Sequence, residues 1–267
     1  MAELIGPIRF KGSIGGMSCY YNKVLKKWIF RTKGGANKNQ IENNAAFART
    51  RENMTEFNAC GKFCKQIRLG LFELDELNYG MYMNGMVKLA KFIQKMDPIG
   101  PRGWRSIEAS RHKEMLTDID FNQNHPFKQV VLRKPVVTSD ADRMTVTVEF
   151  PHFVSQWELF WKEKYSDYRF ILAISQLSDY TGDAPSKTFG AQYPDLEENQ
   201  GLCVGEWMSR STEAHDISLT ASFLEGNIPP TDATVLVALG IEIAMGRTGR
   251  AIYSQKGDGT MALVACL

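Results

Sequence analysis

No apolar run in this 267-residue chain approaches the ~18–20 residues needed to cross a bilayer, so no membrane partner is expected. The opening Met1-Ala2-Glu3 and the following Leu4-Ile5-Gly6-Pro7 lack the basic and apolar regions of a signal peptide. The expected location is the cytoplasm, or a particle assembled there. Histidine is scarce: His112, His125, His152 and His215 show no His-Glu-x-x-His spacing, and no nucleophile elbow accompanies them. The five cysteines (Cys19, Cys60, Cys64, Cys203, Cys266) are an odd number, which argues for reduced thiols. Cys60 and Cys64 stand one helical turn apart, but a closed zinc site takes four ligands and no second pair lies at motif spacing. They are therefore read as buried structural cysteines. No Lys-Ser/Thr follows the glycines from Gly12 to Gly16, so they suit a hairpin turn better than a phosphate loop. The neighbouring carboxylates Asp75-Glu76 and Glu197-Glu198 would point apart on regular elements. The expectation is a protein without catalytic residues, cofactor or metal, and not an enzyme.

What the chain does have is an extended, aromatic and basic opening that feeds a long amphipathic helix. Ile8-Arg9-Phe10-Lys11, Met17 to Tyr21 and Trp28-Ile29-Phe30-Arg31-Thr32 read as strands separated by glycine and Asn22-Lys23 turns. Two or three such strands are marginal alone in water and need a partner surface, either the protein's own core or a neighbouring chain. After a polar spacer, Asn39 and Glu42 have capping-box spacing. Phe47, Met54, Phe57, Cys60, Cys64, Ile67 and Leu71 then form one apolar stripe, with Arg49, Arg51, Lys62, Lys65 and Arg68 mostly off it. The candidate partner-binding residues are Phe10, Tyr20, Tyr21, Trp28, Phe30, Arg31, Lys33, Arg49 and Arg51, joined by Arg102, Trp104 and Arg105 from a later basic loop.

The order Gly12-x-x-Gly15, Tyr20-Tyr21, Trp28-Ile29-Phe30-Arg31-Thr32-Lys33, a polar spacer, Asn39-Gln40 and an arginine-bearing helix with Phe47 resembles the N-terminal module of an uncharacterised bacterial and mobile-element protein family. The resemblance covers about the first quarter of the chain, and the spacer lacks the family's Pro-Arg-Thr-Pro-type run. Similar modules encoded near phage genes imply a virion or assembly role.

Charge is divided between the halves. Residues 1–134 carry 23 Lys and Arg against 12 Asp and Glu, and the remainder carries 9 against 18. A basic front can track phosphates, or meet the acidic back of the next copy. A second helix is expected from Gly80 to Met96, with Lys88, Lys91 and Lys95 near its C-terminus and Met81, Met83, Met86 and Met96 read mainly as core filling. Ile99 to Arg105 is a basic loop around Trp104, which either contacts a partner or seals the core. Asn122-Gln123-Asn124-His125-Pro126 has boundary composition, giving a basic hairpin and helical domain over 1–124 and an acidic β-sandwich domain over 125–267.

In the back half the period changes to two. Lys128 to Val137 and Met144 to Phe150 flank the turn Thr138 to Asp142, the second arm and Ile217 to Phe223 alternating as half-buried strands do, while Phe170 to Ile174 and Val235 to Ile243 are apolar on both faces, as central strands are. Ala251 to Tyr253 and Met261 to Cys266 suggest a closing hairpin around Gly257-Asp258-Gly259. Trp157 to Trp161 reads as a core plug, and Asp179 to Gln200 as a long polar loop able to receive a basic neighbour. The fold class is α+β, an N-terminal β-hairpin with antiparallel helices followed by an antiparallel β-sandwich-like domain.

The expected function is a structural or assembly subunit of a larger oligomer, such as a virion or similar particle, binding other proteins or copies of itself. The alternative is nucleic-acid binding through Arg9, Lys11, Arg31, Lys33, Arg49, Arg51, Arg102 and Arg105. A weaker third reading is carbohydrate stacking on Trp157 and Trp161.

Overall fold

Left-handed backbone at Gly15 and Gly16, with φ of 53° and 78°, lets β2 (Gly12–Ile14) turn directly into β3 (Met17–Asn22). Asn22 then accepts the Leu25 N–H at 3.0 Å and opens the turn to β4 (Lys27–Thr32). With β1 (Ala2–Glu3) these strands make an antiparallel sheet in the order β1-β4-β3-β2. The computed structural model describes residues 2–3, 10–23, 25–161, 165–245, 252–253 and 258–267. Ile8 and Arg9 of the first expected strand, and Ala251 and Gly257 of the closing hairpin, lie outside the described residues.

The single helix expected from Asn39 onward is two helices. Asn37 is the cap: its Oδ1 accepts the Gln40 N–H at 2.8 Å, and Gln40 Oε1 accepts the Asn37 N–H at 2.9 Å. Asn39 instead accepts from the Asn43 amide. α1 (Lys38–Asn43) stops because Asn44 is extended, with φ −84° and ψ 131°, and its side chain accepts the Ala46 N–H to begin the next turn. Arg51 Nη1 braces the break by donating to the carbonyls of Ile41 and Asn44 at 2.7 and 2.9 Å. α2 (Ala48–Gly70) follows. The chain forms two compact units, Met1–Arg51 and Glu52–Leu267.

On α2 the buried set is Glu56, Ala59, Cys60, Phe63, Cys64, Ile67 and Gly70, at helical spacings of three and four. Met54 and Phe57, expected on this stripe, are exposed instead, because the buried arc is centred on Phe63. α3 (Tyr82–Met96) buries Met86, Ala90 and Ile93. Core filling therefore describes Met86, whereas Met81 and Met96 are exposed.

Strands dominate the rest. β5 (Val136–Ser139), β6 (Thr145–Phe153) and β12 (His215–Ser222) form a three-stranded sheet in the order β12-β6-β5. Opposite it, β7 (Asp167–Leu177) and β13 (Thr234–Met245) are the centre of a six-stranded sheet, flanked by β10 (Gln200–Val204), β11 (Met208–Ser209), β14 (Ile252–Tyr253) and β15 (Thr260–Cys266). All the pairings of both sheets are antiparallel. β8 (Tyr180–Asp183) and β9 (Thr188–Ala191) make a separate hairpin. The fold is thus α+β, and the described residues form no closed barrel.

The two-sided apolar strands serve two cores. Phe170, Leu172 and Ile174 of β7, with Val235, Val237, Leu239 and Ile241 of β13, pack against Val146, Val148 and Phe150 of β6 and against Leu219 of β12. Ile171 and Ala173, with Leu236 and Ala238, turn the other way onto Phe63, Cys64, Ile67 and Leu74 of the helical layer. In the first core Phe150 lies 4.9 Å from Phe170 and 5.1 Å from Phe153 between ring centroids. Each such buried ring contributes roughly 1.5–3 kcal/mol of burial free energy.

Several expected elements differ. The helical layer packs on the large sheet within the second unit, so the division expected at residue 124 does not coincide with the division after Arg51. The physical reason lies in residues 118–122: the Asp118 and Phe121 N–H groups donate to Leu263 and Met261, and the buried Asn122 amide donates to the Gly259 carbonyl at 2.6 Å. A segment with linker-like composition is thus bonded along β15. Lys128 to Val137 is mostly not strand, since Phe127–Val130 is a helical turn. Of the expected plug from Trp157 to Trp161, Leu159 is buried and Trp161 packs against the first core, whereas Trp157 and Phe160 are exposed, because Ser155 and Leu159, four apart, take the inward face of the turn Ser155–Glu158. Much of the polar stretch from Asp179 to Gln200 is the β8–β9 hairpin. Among the described residues β14 and β15 both pair with β13 rather than with each other.

Candidate functional site

The candidate residues fall into three groups. In the first unit, Tyr21 pairs across the strands with Trp28, their rings 5.6 Å apart and edge-on, and Cys19 pairs with Phe30. Phe10 meets Phe30 edge-on at 6.2 Å. Cross-strand partners share a sheet face, so Cys19, Tyr21, Trp28 and Phe30 lie on one side, and Ser18, Tyr20, Ile29 and Arg31 on the other. Arg31 stands over the Tyr20 ring at 5.7 Å. Only Cys19 and Ile29 of β3 and β4 are buried, one on each face. The Lys33 N–H donates to the Gly16 carbonyl at 2.7 Å, and its side chain is exposed.

Arg49 and Arg51 form the second group, at the start of α2. Arg49 is exposed, whereas Arg51 is committed to the carbonyls at the helix break.

Arg102, Trp104 and Arg105 belong to the second unit, in a loop held by two carboxylates. Arg105 grips Glu56 through both arms of its guanidinium, Nε to Oε1 and Nη2 to Oε2, each at 2.8 Å. Lys91 also donates to Glu56, and the Gly103 N–H donates to Oε1 at 2.8 Å. Burial is the largest single influence on the Glu56 carboxyl and pushes its pKa up, but the bonds from Arg105, Lys91 and Gly103 together hold it at about 2. Asp97 accepts the N–H groups of Ile99, Gly100 and Ser106 at 2.8, 2.9 and 2.6 Å. These bonds outweigh the effect of burial and lower its pKa. Gln94 completes the network, donating to the Arg105 carbonyl at 2.9 Å while its Oε1 accepts from Cys60 at 3.4 Å. Trp104 stacks on Phe189 of β9 at 5.3 Å, and Phe189 stacks on Tyr180. Arg102 approaches Glu52 at 3.6 Å on the surface.

No protein-family model, curated protein or solved structure matches this chain. Burial pushes the thiols of Cys60 and Cys64 up to about 11 and about 12, so neither is a ready nucleophile at neutral pH. Among the described residues no group of three or more His, Cys, Asp or Glu is arranged to hold a metal ion.

Sequence reasoning missed Glu56. Its signal was there: position 56 lies one turn before Cys60 on the buried arc, and a carboxylate in that phase requires cationic partners. Arg105 and Lys91 supply them, which makes the basic loop part of the packing of the unit.

Proposed function

We propose that the chain is a non-enzymatic subunit of a larger homo- or hetero-oligomeric assembly, of the kind that builds a virion or comparable particle. The observation that carries this reading is the sheet of the first unit. Its two central strands bury one side chain on each face, so among the described residues neither face has a core of its own, yet both carry aromatic groups. Such a sheet gains little from its own folding and much from being covered. Phe10, Tyr21, Trp28 and Phe30 supply apolar area of the type that anchors interfaces, and Tyr20 with Arg31 supplies the other face. The resemblance of the opening residues to a mobile-element module agrees with this.

Nucleic-acid binding gains less support, because Arg51 and Arg105, two of the cations it needs, are engaged within their own units. Mass photometry or light scattering of the purified chain across a salt series tests the proposal. Oligomers or a co-purifying partner are expected. A strict monomer at high micromolar concentration, with no partner, refutes it.

A further inference from the structure

The outward faces of α2 and α3 carry a surface unlike the buried clamp beneath them. Phe57 is 62% exposed and Phe92 55% exposed. They line one open groove of about 690 Å³ together with Asn84, Gly85, Lys88 and Lys95. Lys88, Phe92 and Lys95 follow at spacings of four and three, which sets them along one stripe of α3. α3 contains no Asp or Glu. The two carboxylates of α2 are already engaged, Glu52 by Arg102 and Glu56 by Arg105 and Lys91. Among the described residues no carboxylate pairs with Lys62, Lys65, Lys88 or Lys95. Two exposed phenyl rings therefore sit within uncompensated positive charge, which calls for an occupant both apolar and acidic.

The same unit presents such a surface at the C-terminal end of α2. Phe72 is 66% exposed, and Leu69, Leu202 and Val204 are exposed as well. Gln200 ties the cluster together, its Nε2 donating to the carbonyls of Leu69 and Glu197, each at 2.9 Å. Glu73 and Leu202 line one shallow pocket beside Gly70. Leu202 and Val204 lie on β10, an edge strand of the large sheet, which leaves them open to a neighbour. Here the apolar groups are bordered by Glu73 and Glu197.

We propose that copies of this chain associate head to tail, the acidic apolar end of one (Phe72, Leu202 and Val204 with Glu73 and Glu197) seated in the basic groove of the next (Phe57 and Phe92 with Lys88 and Lys95). This rests on the reading of the chain as an assembly subunit and adds which surfaces meet. One copy cannot satisfy itself, since positions 57 and 69 are separated by roughly 18 Å along a single rigid helix. Groove against groove would oppose lysine with lysine, a like-charge juxtaposition that disfavours a two-fold dimer on this face. The remaining contact is heterologous, and repeated copies close into a ring or extend as a filament. A nucleic-acid duplex would satisfy the lysines but offers nothing apolar to Phe57 and Phe92.

Charge exchange on the full-length chain tests this by sedimentation velocity over a concentration series. K88E/K95E makes the groove acidic, and E73K/E197K makes the end basic. Each variant alone should associate ~10-fold more weakly than wild type or worse, and an equimolar mixture should restore association, because each altered surface then finds its opposite. Circular dichroism verifies that both variants fold. Unchanged association of either variant, or a mixture that stays dissociated, overturns the head-to-tail contact while leaving the assembly reading intact. A monomeric wild type with a co-purifying protein also overturns this contact alone, whereas a monomer without any partner overturns both. Retention of wild type on a single-stranded dT oligonucleotide, lost in K88E/K95E and without self-association, assigns the groove to nucleic acid instead.

Discussion

Replacing Glu56 by Gln probes the buried clamp with almost no change in shape. At neutral pH the wild-type carboxylate compensates Arg105 and Lys91 in a site from which its own side chain is fully excluded from water. In Glu56→Gln the two cations face a neutral amide, a loss of about 3–5 kcal/mol for an interrupted buried pair. For a unit of this size that lowers the melting temperature by roughly 10 °C. The pH dependence supplies a second, independent check. The folded carboxyl titrates at about 2 against an ordinary value of 4.5, which corresponds to about 3 kcal/mol of stability. Because the pKa is depressed by folding, this contribution is complete above about pH 4.5 and is lost as pH falls toward 2. Near pH 2.5 only about 1 kcal/mol of it remains. Urea titrations of wild type and variant, followed by circular dichroism at about pH 7, 4.5 and 2.5, should give a stability gap that is widest at neutrality and narrows with acid. The other carboxylates are common to both proteins and cancel in the difference. A neutral-pH gap below about 1 kcal/mol, or one that stays constant down to pH 2.5, refutes the reasoning.

Other perturbations reach different layers. A Cβ at Gly182 would lie 2.1 Å from the Trp104 carbonyl oxygen and 2.7 Å from the Phe189 ring, so Gly182→Ala should cost about 1–3 kcal/mol in a thermal melt. Gly61 on α2 has open space at the same point, so Gly61→Ala should instead stabilise by about 0.5–1 kcal/mol, and a shared sign would contradict this account. Cys60 and Cys64 are fully buried with raised pKa values, so iodoacetamide at about pH 8 should leave their peptide unmodified in the native chain and label it in urea, as mass spectrometry will read. Equal labelling rates in the two conditions would show the α2 face to be open. Arg51→Ala removes two carbonyl bonds at the helix break, and faster amide exchange over residues 41–47 is the expected outcome.

Much of the strand layer could be read from the chain alone, and the reason is periodicity. Alternation in Thr145 to Phe150 and in Ile217 to Ser222 marks β6 and β12, whose outward threonines and serines pair across the strands, as Thr147 does with Thr220 at 2.9 Å. The unbroken apolar runs of β7 and β13 mark strands covered on both sides. The phase of α2 was harder, because Met54 and Phe57 are as apolar as Phe63, and tertiary packing alone decides which arc turns inward. The β8–β9 hairpin has the glycine, serine and threonine content of a loop, so composition concealed it. Arg105 and Glu56 are 49 positions apart, and a bidentate pair at that separation leaves no local trace. The charge of the loop was visible in the sequence, but its direction was not.

The double duty of β13 has a mechanical consequence. Its odd-numbered side chains from Val235 to Ile243 supply one layer, while Leu236 and Ala238 supply the other. Deleting a single residue near its start would exchange the two inventories, sending leucine and alanine of the helical side into the space shaped for valine and isoleucine, and the reverse. Neither layer could be repaired without spoiling the other. The sandwich and the helices above it should therefore melt in one transition, since the strand between them cannot loosen toward one neighbour and stay ordered toward the second.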